Sequence, residues 1–171
     1  MRPMPRPSLA RLLLLGLVVA TPTACATSPD RLPSPDRQFY YNLPSPADRT
    51  AYLKLKETQR QPFLEQKGLW QKWMELPPEE REAVKRAEVK AGYREFEAFM
   101  AWGPPADTQE SKGGRAIRFH TFIRCTSGPK VGRYVASNLE CDGTSSEVEI
   151  SVENGLITEV TGNQRFGLAT I

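Results

Sequence analysis

Hydrophobic and polar positions follow a helical period from about Ser45 to Trp102 and an alternating one beyond. Ser45, with Pro46 after it and Asp48 three residues on, predicts a serine-capped helix running to about Gln59. Pro62 restarts or kinks it, and Phe63, Trp70, Trp73 and Met74 then share one face as a core stripe, until Leu76-Pro77-Pro78 stops the run. Glu79 and Glu80 favour the first turn of a further helix with Val84, Ala87 and Ala91 as its apolar side. The charges from Glu79 to Lys90 form its solvated face, Glu82 and Arg86 lying at helix-stabilising separation. Gly92 breaks this pattern, and Tyr93, Phe96, Phe99 and Met100 mark a short helix ended by Gly103-Pro104-Pro105.

The stretch from Gln109 to Arg115 reads as a loop. From Ala116 to Cys125 the residues alternate, with Ile117, Phe119, Ile123 and Cys125 expected on the buried face and Arg118, His120 and Arg124 on the wet one. Val131 to Leu139 adds at most a weak strand. Val148, Ile150 and Val152 point inward from a clearer one, with Glu147, Glu149 and Glu153 outward. Asn154-Gly155 signals a hairpin. A loop of Glu153, Asn154 and Gly155 sets Val152 against Leu156 and Val148 against Val160, whereas a strict two-residue loop sets Ile150 against Glu159. The fold class is therefore α+β, N-terminal helices followed by a three- or four-stranded antiparallel β-meander.

Upstream of these elements the pattern is that of an export signal. Residues 1–24 carry Arg2, Arg6 and Arg11, no acid, and an unbroken apolar run from Leu12 to Ala20. That run is too short for a membrane span, which needs about 20 residues. Thr23-Ala24-Cys25 reads as a lipoprotein cleavage site that leaves Cys25 as the lipidated first residue. Ala24-Cys25-Ala26 is the competing site, cut after Ala26 to release a soluble periplasmic or secreted protein. With Ala26 and not aspartate after the cysteine, the lipidated form is expected at the periplasmic face of the outer membrane. Residues 25–46 hold five prolines, and Ser28-Pro29-Asp30-Arg31 is echoed by Ser34-Pro35-Asp36-Arg37. This reads as a tether unable to sustain helix, reaching roughly 60 Å if extended at ~3.1 Å per residue. The alternative is a coil docked on the domain through Phe39, Tyr40 and Tyr41. The organisation is then signal peptide 1–24, tether 25–46, helical extension 47–78 and helix-helix-meander domain 79–171.

Charge changes meaning once the signal is set aside. Of 23 basic residues three lie in the first 24 positions, leaving 20 against 20 acids. A nucleic-acid-binding surface finds no support in that balance. Once Cys25 is assigned to lipid, Cys125 and Cys141 make an even pair in an exported chain, most simply a disulfide. A reactive or metal-binding pair is the alternative. The only histidine, His120, lies five positions before Cys125, and an odd separation on one strand places the two on opposite faces, against a zinc site or a Cys-His dyad.

The segment from Val89-Lys90-Ala91-Gly92-Tyr93 through Ala101-Trp102-Gly103-Pro104-Pro105, together with Asn154-Gly155, resembles the SmpA/OmlA (BamE-like) family of small outer-membrane lipoproteins over about residues 84–161. In that family a glycine opens a short helix, a tryptophan-glycine-proline turn ends it and three strands follow. The resemblance implies an accessory role in assembling outer-membrane β-barrels.

Function is expected to be non-enzymatic: an envelope lipoprotein, held to the membrane by its lipid, whose domain binds an envelope protein, with no cofactor or metal. The alternative is a secreted or tethered ligand-binding or inhibitor module. Hydrolase motifs are missing from the sequence, and Glu79-Glu80 and Glu147 with Glu149 are explained by a helix start and a wet strand face.

Overall fold

The computed structural model describes residues 28–111 and 116–162. The signal segment, Cys25 and its two cleavage sites, part of the loop predicted at Gln109 to Arg115, and the last nine residues lie outside the described residues. The architecture is α+β, helices preceding an antiparallel sheet. The helices are α1 (Asp36–Asn42), α2 (Pro46–Lys54), α3 (Glu57–Gln66), α4 (Leu69–Met74), α5 (Pro78–Lys85) and α6 (Glu95–Trp102). The strands are β1 (Asp107–Glu110), β2 (Ile117–Cys125), β3 (Tyr134–Val135), β4 (Ser145–Glu153) and β5 (Leu156–Gly162), with 3₁₀ turns at Pro29–Arg31 and Asn138–Cys141. The sheet order is β1-β2-β4-β5, and the short β3 also pairs with β2. No described helix is long and apolar enough to cross a membrane.

The segment read as a tether is folded from Ser28 onward. Its prolines sit where a helix tolerates them, at the start of the 3₁₀ turn and before or at the start of α1 and α2, leaving 36–42 free to coil. Phe39 is fully buried, its ring 5.9 Å from that of Trp70 and 6.0 Å from that of Trp73. Asn42 fixes α1 to α6: its Nδ2 donates to the Phe99 carbonyl at 3.1 Å. Arg60 on α3 pairs with Asp36 on α1 at 2.6 Å. Ser45 caps α2 as its sequence implies, its Oγ accepting from the Asp48 N–H.

Other helix bounds differ from expectation. α2 ends at Lys54, not near Gln59, because Leu55 and Lys56 are extended. Pro62 sits within α3 on its exposed side without ending it. Met74 is 50% exposed and leaves the stripe, while Leu69, Trp73 and Leu76 enter the core. α5 stops at Lys85, and Ala87, with φ of +60°, lies beyond it together with the exposed Ala91. Glu82 pairs with Lys85 at 2.7 Å, and Arg86 turns to Glu88 at 2.9 Å instead.

Two apolar clusters result, with α6 serving both. Phe39, Tyr52, Leu64 and Trp73 of the helical layer meet Met100 of α6. Phe122, Val148, Ile150, Val152 and Ile157 of the sheet meet Ala98 and Trp102 of the same helix. Gly103, at φ +84°, then turns the chain into Pro104.

The sheet corrects three readings. The strand β1 takes in Gln109 and Glu110, two positions expected in a loop, and pairs Thr108 with His120 and Glu110 with Arg118. The β4–β5 hairpin has the two-residue Asn154-Gly155 turn, both residues at positive φ, which sets Glu153 opposite Leu156. A bulge between Ser151 and Val152 then shifts the register, so Ile150 meets Val160 and not Glu159, and Val148 meets Gly162. The third concerns β2, whose helix-facing positions are Arg118, His120, Phe122 and Arg124; Ile117, Phe119 and Ile123 face away. His120 and Phe122 are buried, while those three apolar residues are only half-buried and belong to neither cluster.

Phe39→Ala, by opening a void between α1 and the Trp70/Trp73 pair, is expected to destabilise the whole domain by about 3–5 kcal/mol in chemical denaturation. A loss below 1 kcal/mol would mean that 28–43 is not part of the core.

Candidate functional site

Alternation along β2 puts Arg118 and His120 under α6, where both find Glu95 in its first turn. Arg118 donates through Nε and Nη2 to the two carboxylate oxygens at 3.0 and 2.6 Å. His120, 3% exposed, has Nε2 at 2.6 Å from Glu95 Oε1 and Nδ1 at 2.8 Å from Thr108 Oγ1. A carboxylate only accepts, so Nε2–H donates to Glu95, and in the tautomer with Nδ1 bare the Thr108 hydroxyl donates to Nδ1. The Phe99 ring closes over the imidazole, edge on, at 5.1 Å. Hydroxyl, imidazole and carboxylate stand in the order of a nucleophilic relay. Here Arg118 engages both carboxylate oxygens, and the cluster bolts α6 to β2 and β1. His120 is thus a buried network residue, not one on a wet strand face, and its partner Glu95 carries no local sequence signal.

Glu97, two residues on in the same first turn, is almost fully buried. Its Oε2 accepts from the Arg94 backbone N–H at 2.6 Å, closing the helix start, and the Glu80 carboxyl lies near its side chain. Burial, with Glu80 adding like-charge repulsion, pushes its pKa up to about 7.

Cys125 and Cys141, both buried, are joined as a disulfide across a separation of 16 residues. The enclosed loop is tightly built at its base. Ser127 Oγ accepts from the Thr144 N–H at 2.8 Å, and Gly128, at φ +82°, passes so near Asp142 that a Cβ would lie 2.7 Å from its carbonyl oxygen. Lys130 Nζ donates to the Glu140 carbonyl at 2.6 Å.

This loop forms one wall of a cleft of about 410 Å³ whose other walls are α1 and the end of α6. Its floor is aromatic: the Trp102 and Tyr134 rings stack at 5.0 Å with 17° between planes, and Tyr41 lines the opposite side. Trp102 is fixed by donating Nε1–H to the Ala87 carbonyl at 2.9 Å. Burial holds Tyr134 up to about 12 and raises Tyr41, helped by Asp30, so both remain phenols at neutral pH. Arg37, Lys85, Lys130 and Arg133 line the cleft against Asp30 and Glu140, leaving it cationic. The Gln38 side-chain amide oxygen, Oε1, is buried without a hydrogen-bond partner among the described residues. An anionic or amide-rich group with a flat apolar portion fits such a surface.

Sequence reading singled out Trp102 as part of a turn and the two cysteines as a pair; it did not connect them. Arg37, Lys130, Arg133 and Tyr134 come from segments of weak or no periodicity, and only the even cysteine pair hinted that the loop mattered. What fold and site together define is an α+β protein with a preformed aromatic, cationic cleft clamped by a disulfide. No protein-family model, curated protein or solved structure matches the chain.

Two outcomes are expected. Removing the bond with Cys125→Ser/Cys141→Ser costs about 3 kcal/mol in denaturant unfolding, the value for a loop of this size. A change under 0.5 kcal/mol would contradict a clamping role. For Glu97, the folded carboxyl binds its proton more tightly than the unfolded one at 4.5, so its stabilisation is complete below about 4.5 and is lost as pH rises through about 7. Thermal unfolding midpoints are therefore expected to fall between pH 5 and 8, with Glu97→Gln flattening that fall and raising the midpoint at pH 8. An unchanged slope in the variant would count against this assignment.

Proposed function

We propose that the chain is a non-enzymatic cell-envelope lipoprotein, anchored through Cys25 at the periplasmic face of the outer membrane, whose α+β domain binds another envelope protein. The observation that carries the reading is the cleft. Its aromatic floor is fixed before binding by the Trp102–Tyr134 stack, and its cationic wall is held by the Cys125–Cys141 bond. Rigid aromatic anchors beside arginines are the composition of binding hot spots. A disulfide persists in oxidising compartments, which supports export. The family resemblance over 84–161 makes the barrel-assembly machinery the first partner to test.

Cleft size favours one second reading. About 410 Å³ falls within the roughly 300–1,000 Å³ of small-molecule sites, which supports a secreted or tethered ligand-binding or inhibitor module.

The test is a detergent-solubilised pull-down of the tagged full-length protein from its own envelope, with Cys25→Ala and Arg37→Glu/Arg133→Glu as variants. Recovery of a barrel-assembly subunit by the wild type, lost in the cleft variant and reduced in Cys25→Ala, is the expected result. Recovery of no envelope protein, together with an unlipidated N-terminus at Thr27 by intact mass, would replace this reading with the soluble module.

A further inference from the structure

We infer that the open face of the sheet is a second docking surface, built for a protein segment that presents lysine or arginine side chains around an apolar centre. The inference shares with the proposed function only the premise that the partner is a protein; it concerns a surface other than the cleft.

The first observation is the facing of β2. Register on a half-buried strand ordinarily hides its apolar set, because a one-residue slip exchanges the two faces. β2 does the opposite. It sends Arg118, His120 and Arg124 to the helix side along with the core residue Phe122, where Arg118 and His120 need Glu95 and Thr108 to satisfy them, and turns Ile117, Phe119 and Ile123 outward, the same face being closed at its far end by the buried Cys125–Cys141 bond. Register extends this outward strip: Val135 lies opposite Ile123, and Leu156, 48% exposed, lies opposite Glu153 beside Ile117. The inward face is accounted for by the Glu95 cluster and Phe122, whereas the outward apolar strip packs in neither core cluster and so points to a use outside the domain.

The second observation is charge, which selects the occupant. The outward positions of the five strands carry Asp107, Glu147, Glu149, Glu153 and Glu159 and no basic residue; both strand arginines lie on the helix side. Glu147 adjoins Ile123, Glu153 adjoins Ile117, and Asp107 and Glu149 flank Thr121 next to Phe119. The chain beyond residue 24 is balanced, so this is a local field and not an overall excess. Anionic lipid and nucleic acid are repelled by it, while a small cation leaves the apolar strip uncovered. A cationic amphipathic segment satisfies both parts, with electrostatic steering toward the face and burial of Ile117, Phe119 and Ile123 once there.

The test uses the full-length protein in detergent and a fluorescent 14-residue peptide of leucine and lysine, with a leucine-glutamate peptide as its counterpart. Glu149→Lys/Glu159→Lys alters the charge, Phe119→Ser the apolar centre, and Arg37→Glu/Arg133→Glu the cleft; thermal melts establish that each variant is folded. The basic peptide is expected to bind and the acidic one not. Binding should weaken at least tenfold in Glu149→Lys/Glu159→Lys and in Phe119→Ser, fall with added salt, and survive in the cleft variant. Equal binding by Glu149→Lys/Glu159→Lys, or loss only in the cleft variant, would overturn the inference. So would self-association in sedimentation, or adsorption to zwitterionic vesicles, abolished by Phe119→Ser, since the face would then serve a second copy or lipid. A photo-crosslinker at position 119 in cells supplies the last arm: a captured segment rich in lysine and arginine supports the inference, and an acidic one sinks it. Failure of the envelope pull-down alongside basic-peptide binding would remove the proposed partner and leave this surface standing.

Discussion

The rest of the structure depends on the burial of α6 between two layers. Eight residues must satisfy a helical core on one side through Met100 and a sheet core on the other through Ala98 and Trp102. A helix covered on both sides has little room for charge. Its two acids are accordingly spent at the first turn, where Glu95 holds Arg118 and His120, and Glu97 closes the helix start. The C-terminal end presents Trp102 to the cleft. One short helix thus sets the spacing of the layers, the facing of β2 and the floor of the site.

That arrangement accounts for what was legible in the sequence. The ends of α6 were marked by residues with local conformational requirements, Gly92 before it and Gly103-Pro104 after it. The start of α2 was marked the same way, by a serine whose hydroxyl needs only its neighbours. The facing of β2 was not legible, because it depends on a carboxylate 23 residues upstream that neutralises one face. The hairpin is an intermediate case. Its Asn154-Gly155 turn was local and visible, whereas the bulge that restores the Ile150–Val160 pair answers to the core and not to the turn.

The cleft was the least legible part. It draws Arg37 from a proline-rich stretch, Trp102 from a helix end and Tyr134 from a two-residue strand, and nothing periodic links them. The loop between the cysteines is held by hydrogen bonds at its base and by the bond between Cys125 and Cys141, a constraint read from the cysteine count and not from periodicity. The resulting charge distribution is polarised, with a cationic cleft at the junction of α1 and the loop and an acidic sheet face. A chain balanced in total charge acquires two unlike surfaces by topology alone.

Folding of the proline-rich stretch also limits how far the domain could stand from a lipid carried on Cys25. Ser28, the first of the described residues, is three positions after Cys25, and three peptide units span at most about 11 Å. With an acyl chain on Cys25, the domain would therefore sit on the bilayer like a limpet, not float above it on a leash. Asp30 is both part of the cleft wall and only five residues from that anchor, so the cleft mouth would lie within about 18 Å of the lipid headgroups. With that anchor in place, whatever entered the cleft would itself have to approach the membrane surface, and the geometry of encounter would narrow from a sphere to a thin layer.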